Sequence, residues 1–189
     1  MIDFKGWGYR MKKNFELQLS GSGGQGVILA AIILADAAIA QGLNAVQTQS
    51  YGPEARGGAS KSEVIISSEE IYFPKVRKAD ILLALTQNSY DKYVDFLDEN
   101  GILIVDDHVK VDEDLPNKVY NLPILNSAFD KFGTRMVANI ISVGAIYALL
   151  GENVIDKNIM LRSITERVPP VTVEKNIAAF NEGIKLIRG

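Results

Sequence analysis

The chain contains no cysteine. That absence excludes disulfides, thiolate zinc sites, a cysteine nucleophile and any cysteine-ligated iron–sulfur cluster in this polypeptide. It fits a reducing compartment. Histidine is nearly absent too: His108 is the only one, which excludes a multi-histidine metal centre, and no metal site is expected. Positive charge is not in excess, with 20 Lys and Arg against 23 Asp and Glu for a net charge of −3. Such a chain has no basic field for a nucleic-acid backbone, and no nucleic-acid partner is expected. Long apolar runs are also lacking. Val27 to Ala40 is interrupted by Asp36, and Met136 to Leu150 contains Asn139 and Ser142. Both fall short of the roughly 20 residues that cross a bilayer, so they read as buried helices and no membrane insertion is expected. The first ten residues, MIDFKGWGYR, carry charges where a secretory signal needs an apolar stretch. The expected location is the cytoplasm.

What is present is a globular composition, 47% hydrophobic and 23% charged over 189 residues, which matches one compact domain. Phe15, Leu17 and Leu19 alternate with Glu16 and Gln18, a strand pattern that ends at Gly21. A helix is expected from Gln25 to about Gln41, stopped by Gly42, and a second strand from Leu43 to about Thr48. Strand, tight turn, helix and strand make a βαβ unit with parallel strands. A glycine-rich loop from Ser50 to Gly58 precedes a strand at Ser60–Ser67. The run Ala79–Leu85 is apolar on both faces, as in a central strand. A helix at Asn88–Leu97, a buried strand at Gly101–Val105, a polar loop at Val109–Asn117 and a last strand at Val119–Ile124 follow. Four helical stretches close the chain: Ser127–Phe132, Thr134–Leu150, Asp156–Glu166 and Thr172–Ile187. The expected fold class is α/β: a three-layer α/β/α sandwich with a mainly parallel sheet and a helical C-terminal third.

Gly21-Ser22-Gly23-Gly24-Gln25-Gly26 satisfies G-x-G-x-x-G directly between a strand and a helix. Such glycines allow a tight turn and let backbone N–H groups approach an anion at a helix N-terminus. A dinucleotide site also needs an acid some 20 residues on, at the end of the second strand. Ala45 to Ser50 offers no Asp, Glu or Arg. Three readings stay open: glycines that only turn and pack the chain, an anion or cofactor contact, and an NAD(P) site. The next segment, Ser50-Tyr51-Gly52-Pro53-Glu54-Ala55-Arg56-Gly57-Gly58, follows the carboxyl end of a strand, where open parallel sheets bind ligands. Arg56 could clamp a phosphate or carboxylate, or pair with Glu54 on a bland surface.

GSGGQGV before a long Ala-rich helix, SYGPEARGGASKSEVIIS, KADILLAL, Asn139 and Gly144 in the long helix, and Asn176 to Gly183 together resemble the gamma subunit of 2-oxoacid:ferredoxin oxidoreductases, most of all the 2-oxoglutarate members. The resemblance covers residues 14 to 185; it divides the chain into an N-terminal extension, 1–13, and a single gamma-type domain, 14–189. It implies a subunit of an enzyme that converts a 2-oxoacid, such as 2-oxoglutarate or pyruvate, and coenzyme A to acyl-CoA and carbon dioxide with reduction of ferredoxin. Thiamine diphosphate, magnesium and iron–sulfur clusters serve that reaction. This chain has no cysteine and no Gly-Asp-Gly to Asn-Asn pattern for thiamine diphosphate, so those groups are expected on partner alpha, beta and delta (ferredoxin-like) subunits, with no catalytic residue here and the isolated chain inactive. Coenzyme A is the one ligand this chain could touch, through Gly21, Ser22, Gly23, Gly24, Gln25 and Gly26 and through Tyr51, Glu54, Arg56, Gly57 and Gly58. Two further readings stand beside this one: a free-standing NAD(P)-dependent oxidoreductase, and a scaffolding subunit with no cofactor contact that could self-associate as a homodimer when alone. His108 beside Asp106 and Asp107 is either an acid–base pair or a solvated loop residue. Asn139, midway along an apolar helix, would leave an amide unsatisfied if buried, so it is expected to bond to a loop or a partner.

Overall fold

A computed structural model describes residues 14–50 and 59–189. Residues 1–13 and the loop residues Tyr51, Glu54, Arg56, Gly57 and Gly58 lie outside the described residues.

Six strands form one sheet: β1 (Asn14–Ser22), β2 (Asn44–Ser50), β3 (Ala59–Ser67), β4 (Ala79–Ala84), β5 (Leu97–Asp106) and β6 (Lys118–Leu122). Their order across the sheet is β2-β3-β1-β4-β5-β6. The pairs β1–β4, β4–β5 and β5–β6 are parallel, while β3 is antiparallel to both β1 and β2. The expected βαβ opening therefore holds in direction, because β2 runs with β1. It fails in adjacency, because β3 folds back as a hairpin partner of β2 and takes the place beside β1. Local patterning marks a strand, but which neighbour it pairs with is fixed by a long-range choice.

The helices are α1 (Val27–Ala40), α2 (Gln87–Tyr93), α3 (Ile124–Phe132), α4 (Ala138–Leu150), α5 (Lys157–Arg167) and α6 (Val173–Arg188). The expected helix starting at Gln25 begins two residues later, since Gln25 and Gly26 are spent on the turn. The expected helix from Asn88 to Leu97 is shorter: α2 stops at Tyr93, a 3-10 turn spans Val94–Phe96, and Leu97 opens β5. Leu122 ends β6, because Pro123 cannot donate to the ladder, and Pro123 then stands as the N-cap of α3.

Three layers are present, and they are unequal. Leu17, Leu19, Val64, Ile81, Leu83 and Ile104 pack on one sheet face against α1, α3, α4, α5 and α6. The opposite face, with Ile65, Leu82, Leu103 and Val105, is covered by Tyr90 and Tyr93 of α2 and by coil residues Val76 and Val109. Helix α1 is apolar all round because the sheet lies on one side and α4 and α5 on the other. Its one charge, Asp36, meets Arg167 of α5 at 2.7 Å. Asp156 caps α5 through the amides of Asn158 and Ile159, and Thr86 caps α2 through Ser89.

Helices α4 and α6 approach until backbone touches backbone. A Cβ at Gly144 would lie 2.1 Å from the Phe180 carbonyl oxygen, and one at Gly183 would lie 1.9 Å from that of Ile141. Tyr147 and Phe180 then pack beside the crossing with ring centroids 5.2 Å apart and planes inclined by 55°. Among the described residues no helix is long and apolar enough to cross a membrane.

Candidate functional site

Four parallel strands, β1, β4, β5 and β6, end at one edge of the sheet, and the glycine turn opens there between β1 and α1. Gly21 and Ser22 are the last residues of β1. The Ser22 amide donates to the Gln25 side-chain Oε1 at 2.7 Å, and the Gln25 amide donates to the Ser22 carbonyl at 3.2 Å. Gln25 thus folds its side chain back over the turn and covers Gly21, where a Cβ would meet Oε1 at 2.5 Å. Gly24 and Gly26 take positive φ, +91° and +72°, the left-handed conformation that glycine adopts without a Cβ penalty. Gly26 then starts α1, its carbonyl accepting from Ala30 at 3.0 Å. The amides of Gly23, Gly24 and Gly26 donate to no group among the described residues. Gly23 and Gly24 are exposed, and a Cβ on either would meet nothing within 4 Å. Among the described residues the turn therefore presents amide donors with no partner at the positive end of a helix.

Asn139 closes the inner side of this turn. It lies in the first turn of α4 and is 5% exposed. Its Oδ1 accepts from the Ile140 amide at 2.9 Å, and its Nδ2 makes a long hydrogen bond of 3.5 Å to the Gly26 carbonyl. The amide that the sequence required to be satisfied thus finds its partner in the glycine turn.

The strand register brings the second motif to the same edge. Ser22 lies opposite Ala59, and Ser50 lies opposite Lys61, so the described residues that flank 51–58 in sequence lie at the edge of the glycine turn. Tyr51, Glu54, Arg56, Gly57 and Gly58 are themselves outside the described residues. Gln47 and Thr48 bond within the β2–β3 hairpin, to Ser62 at 2.7 Å and to Glu63 at 3.0 Å.

His108 sits at the same edge, past the end of β5. Its Nδ1 lies 2.6 Å from Asp106 and 2.9 Å from Asp107. The bond to Asp106, then the charges of Asp106 and Asp107, raise its pKa above the usual 6.5. Asp106 is fully buried and also accepts from the Leu125 amide at 2.8 Å, so it caps α3 while orienting the imidazole. Composition alone could not reveal this second role, since Leu125 is 19 residues away. Asp106, Asp107 and His108 place three potential ligand atoms within 4.8 Å of one another, but the contacts just described form a hydrogen-bonded ion pair, and no metal is assigned to it.

A dinucleotide site of the usual kind joins the turn after the first strand to an acid on the adjacent second strand. Here the strand beside β1 is β3, and β2 ends in Thr48, Gln49 and Ser50. Neither the neighbour nor the acid is in place.

Residues 16–186 match the family described as pyruvate ferredoxin/flavodoxin oxidoreductase. The chain belongs to that family. It is 46% identical over 183 residues to the 2-oxoglutarate synthase subunit KorC of Methanocaldococcus jannaschii, covering 95% of this chain and 97% of that one. The crystal structure of the gamma subunit of a keto/oxoacid ferredoxin oxidoreductase from Geobacter sulfurreducens superposes with a TM-score of 0.80 at 44% identity, over 92% of this chain and 98% of that chain. A 2-oxoglutarate:ferredoxin oxidoreductase from Magnetococcus marinus, with 2-oxoglutarate, coenzyme A and succinyl-CoA bound, shares the fold with a TM-score of 0.82 at 22% identity. It covers 94% of this chain but 31% of that longer one. The family member described here thus has the fold expected from its sequence.

Proposed function

We propose that this chain is the gamma subunit of a 2-oxoacid:ferredoxin oxidoreductase that oxidatively decarboxylates 2-oxoglutarate with coenzyme A. The observation that carries this reading is the end-to-end likeness, at 46% identity, to a 2-oxoglutarate synthase subunit. The chain has no cysteine and cannot ligate an iron–sulfur cluster, and the sequence carries no thiamine-holding pattern. Thiamine diphosphate and the clusters, which supply decarboxylation and electron transfer, belong to alpha, beta and delta partners in this reading.

What this chain contributes is a binding edge. The amides of Gly23, Gly24 and Gly26, which have no partner among the described residues, are donors suited to phosphate oxygens, and coenzyme A is the polyphosphate of the reaction. Arg56, in the sequence between the described residues Ser50 and Ala59, is the second anion contact in this reading. The chain's own work is to hold the coenzyme phosphates while the thiol reaches an intermediate on a partner subunit.

Reconstitution tests this. The isolated chain is expected to give no oxoacid-dependent electron transfer, and activity is expected on adding the partner chains. In the complex, Arg56→Ala is expected to raise the KM for coenzyme A with little change in that for the oxoacid. Unchanged coenzyme A kinetics with impaired assembly would favour a scaffolding subunit. Oxoacid oxidation by the isolated chain, or tight NADH binding, would overturn the reading.

A further inference from the structure

The glycine turn raises a physical question: what keeps it in one shape. Glycine visits positive and negative φ with similar ease, so residues at φ +91° and +72° need neighbours to select that form. No described residue lies within 4 Å of a Cβ position at Gly23 or Gly24, so among the described residues the outer half of the turn has no packing neighbour there. From inside, Gln25 bonds to Ser22, three residues away, and to no other described residue. Among the described residues, Asn139, 113 residues on, reaches Gly26 from a distant element.

That contact is both steric and polar. The Asn139 carboxamide fills the space beside Gly26, with Nδ2 2.6 Å, Cγ 3.0 Å and Cβ 3.2 Å from where a Cβ would stand. Its orientation is set, since Oδ1 is taken by the Ile140 amide, which leaves the NH₂ to face the Gly26 carbonyl. Helix α4 is a firm base for it. All its residues except Leu149 are buried, and the crossing with α6 leaves no room for a Cβ at Gly144.

We propose that Asn139 is a positioning residue: wedged against Gly26, it holds the glycine turn in the form whose free amides grip the coenzyme A phosphates. This rests on the coenzyme A contact proposed above. Asn139 touches no ligand itself and acts through the backbone of Gly26.

The test uses the assembled complex with three variants. Asn139→Ala is expected to raise the KM for coenzyme A about tenfold, as a misplaced binding element does, while kcat and the KM for the oxoacid stay within about twofold. Asn139→Asp keeps the size and the acceptor for Ile140 but loses the donor and adds negative charge beside the turn. It is expected to raise the coenzyme A KM further, with an excess that shrinks as salt is added. Gly24→Ala changes the turn directly where there is room for a Cβ but not for its φ, and is expected to raise the same KM. If Gly24→Ala raises it and both Asn139 variants do not, the positioning role is wrong and the coenzyme A contact stands. If all three leave it unchanged, the coenzyme A contact falls and the positioning role with it. Loss of assembled complex with unchanged KM would mark Asn139 as a packing residue only and overturn the proposal.

Discussion

At His108 an exposed imidazole is held by a buried carboxylate. Its side chain keeps 60% of its exposure, while Asp106 has none. The pair raises the folded-state pKa above 6.5, the bond to Asp106 being the largest cause. In linkage terms the stabilisation is fully present below the unfolded value of 6.5 and is lost as pH rises through the raised folded value. The thermal-stability gap between the wild type and His108→Gln is therefore expected to be widest in mild acid and to close in weak alkali. In an NMR titration His108 is expected to show a midpoint above 6.5, and Asp106→Asn is expected to lower it. A wild-type midpoint at or below 6.5 would refute the pairing. Tyr147 is the opposite case, a polar atom with nothing to gain. Its ring is fully buried, its hydroxyl has no partner among the described residues, and burial, then Glu152 and Asp156, push its pKa up to about 12. An unpaired buried hydroxyl costs about 1–3 kcal/mol, and Phe fills the same space. Tyr147→Phe is expected to raise unfolding stability by about 1 kcal/mol in a denaturant titration. A loss of stability would mean the hydroxyl is bonded after all.

Among the elements, α4 and α6 carry the tightest constraint. Alanine is favoured over glycine in a helix by about 1 kcal/mol, but at Gly183 the added Cβ would sit 1.9 Å from the Ile141 carbonyl and 2.8 Å from the Ala145 amide. Backbone cannot rotate aside as a side chain can, so the helices must separate and the Tyr147–Phe180 ring contact must shift. Overpacking of this kind costs about 1–3 kcal/mol and sometimes more. Gly183→Ala is expected to lower stability by about 2 kcal/mol net, and a neutral or stabilising result would show that the crossing is looser. The sequence marked both as helical stretches, Thr134–Leu150 and Thr172–Ile187, because periodicity is a local property. It could not pair Gly144 with Gly183, since that contact depends on how two distant helices cross. The same divide runs through the sheet. The apolar run at Ala79–Leu85 and the alternation at Phe15–Leu19 were readable as strands. The insertion of β3 beside β1 was not, because its pairing is settled by the β2–β3 hairpin and by Ser22 meeting Ala59. At the candidate site the G-x-G-x-x-G spacing was visible and so was the need of Asn139 for a partner, but nothing in the linear order joined Asn139 to Gly26.

For the whole molecule, direction of strands decides where function can sit. β1, β2, β4, β5 and β6 all run the same way, as the antiparallel pairings of β3 with β1 and β2 require. Their carboxyl ends gather the glycine turn, the anchors of the 51–58 loop, the Thr86 cap of α2 and the His108 pair at one edge. The opposite edge holds a half-open cavity of about 210 Å³ between Asn14, Glu16, Glu69, Glu70, Lys75 and Arg77. Its charges are mixed, and Glu16 is already engaged by the Arg77 amide at 2.8 Å, so it offers a polyphosphate no concentrated set of free donors. If the coenzyme binds where unused amides cluster, its protection of the backbone must be polar across the molecule. In the assembled complex, coenzyme A is expected to slow hydrogen exchange in peptides covering residues 20–26 and 50–59, and to leave residues 67–77 unchanged. The free chain, without the partners that complete the pocket, is expected to show little of this. Equal protection at both edges would point to a global tightening of the fold. Protection confined to residues 67–77 would place the ligand at the cavity edge and refute the assignment of the glycine turn.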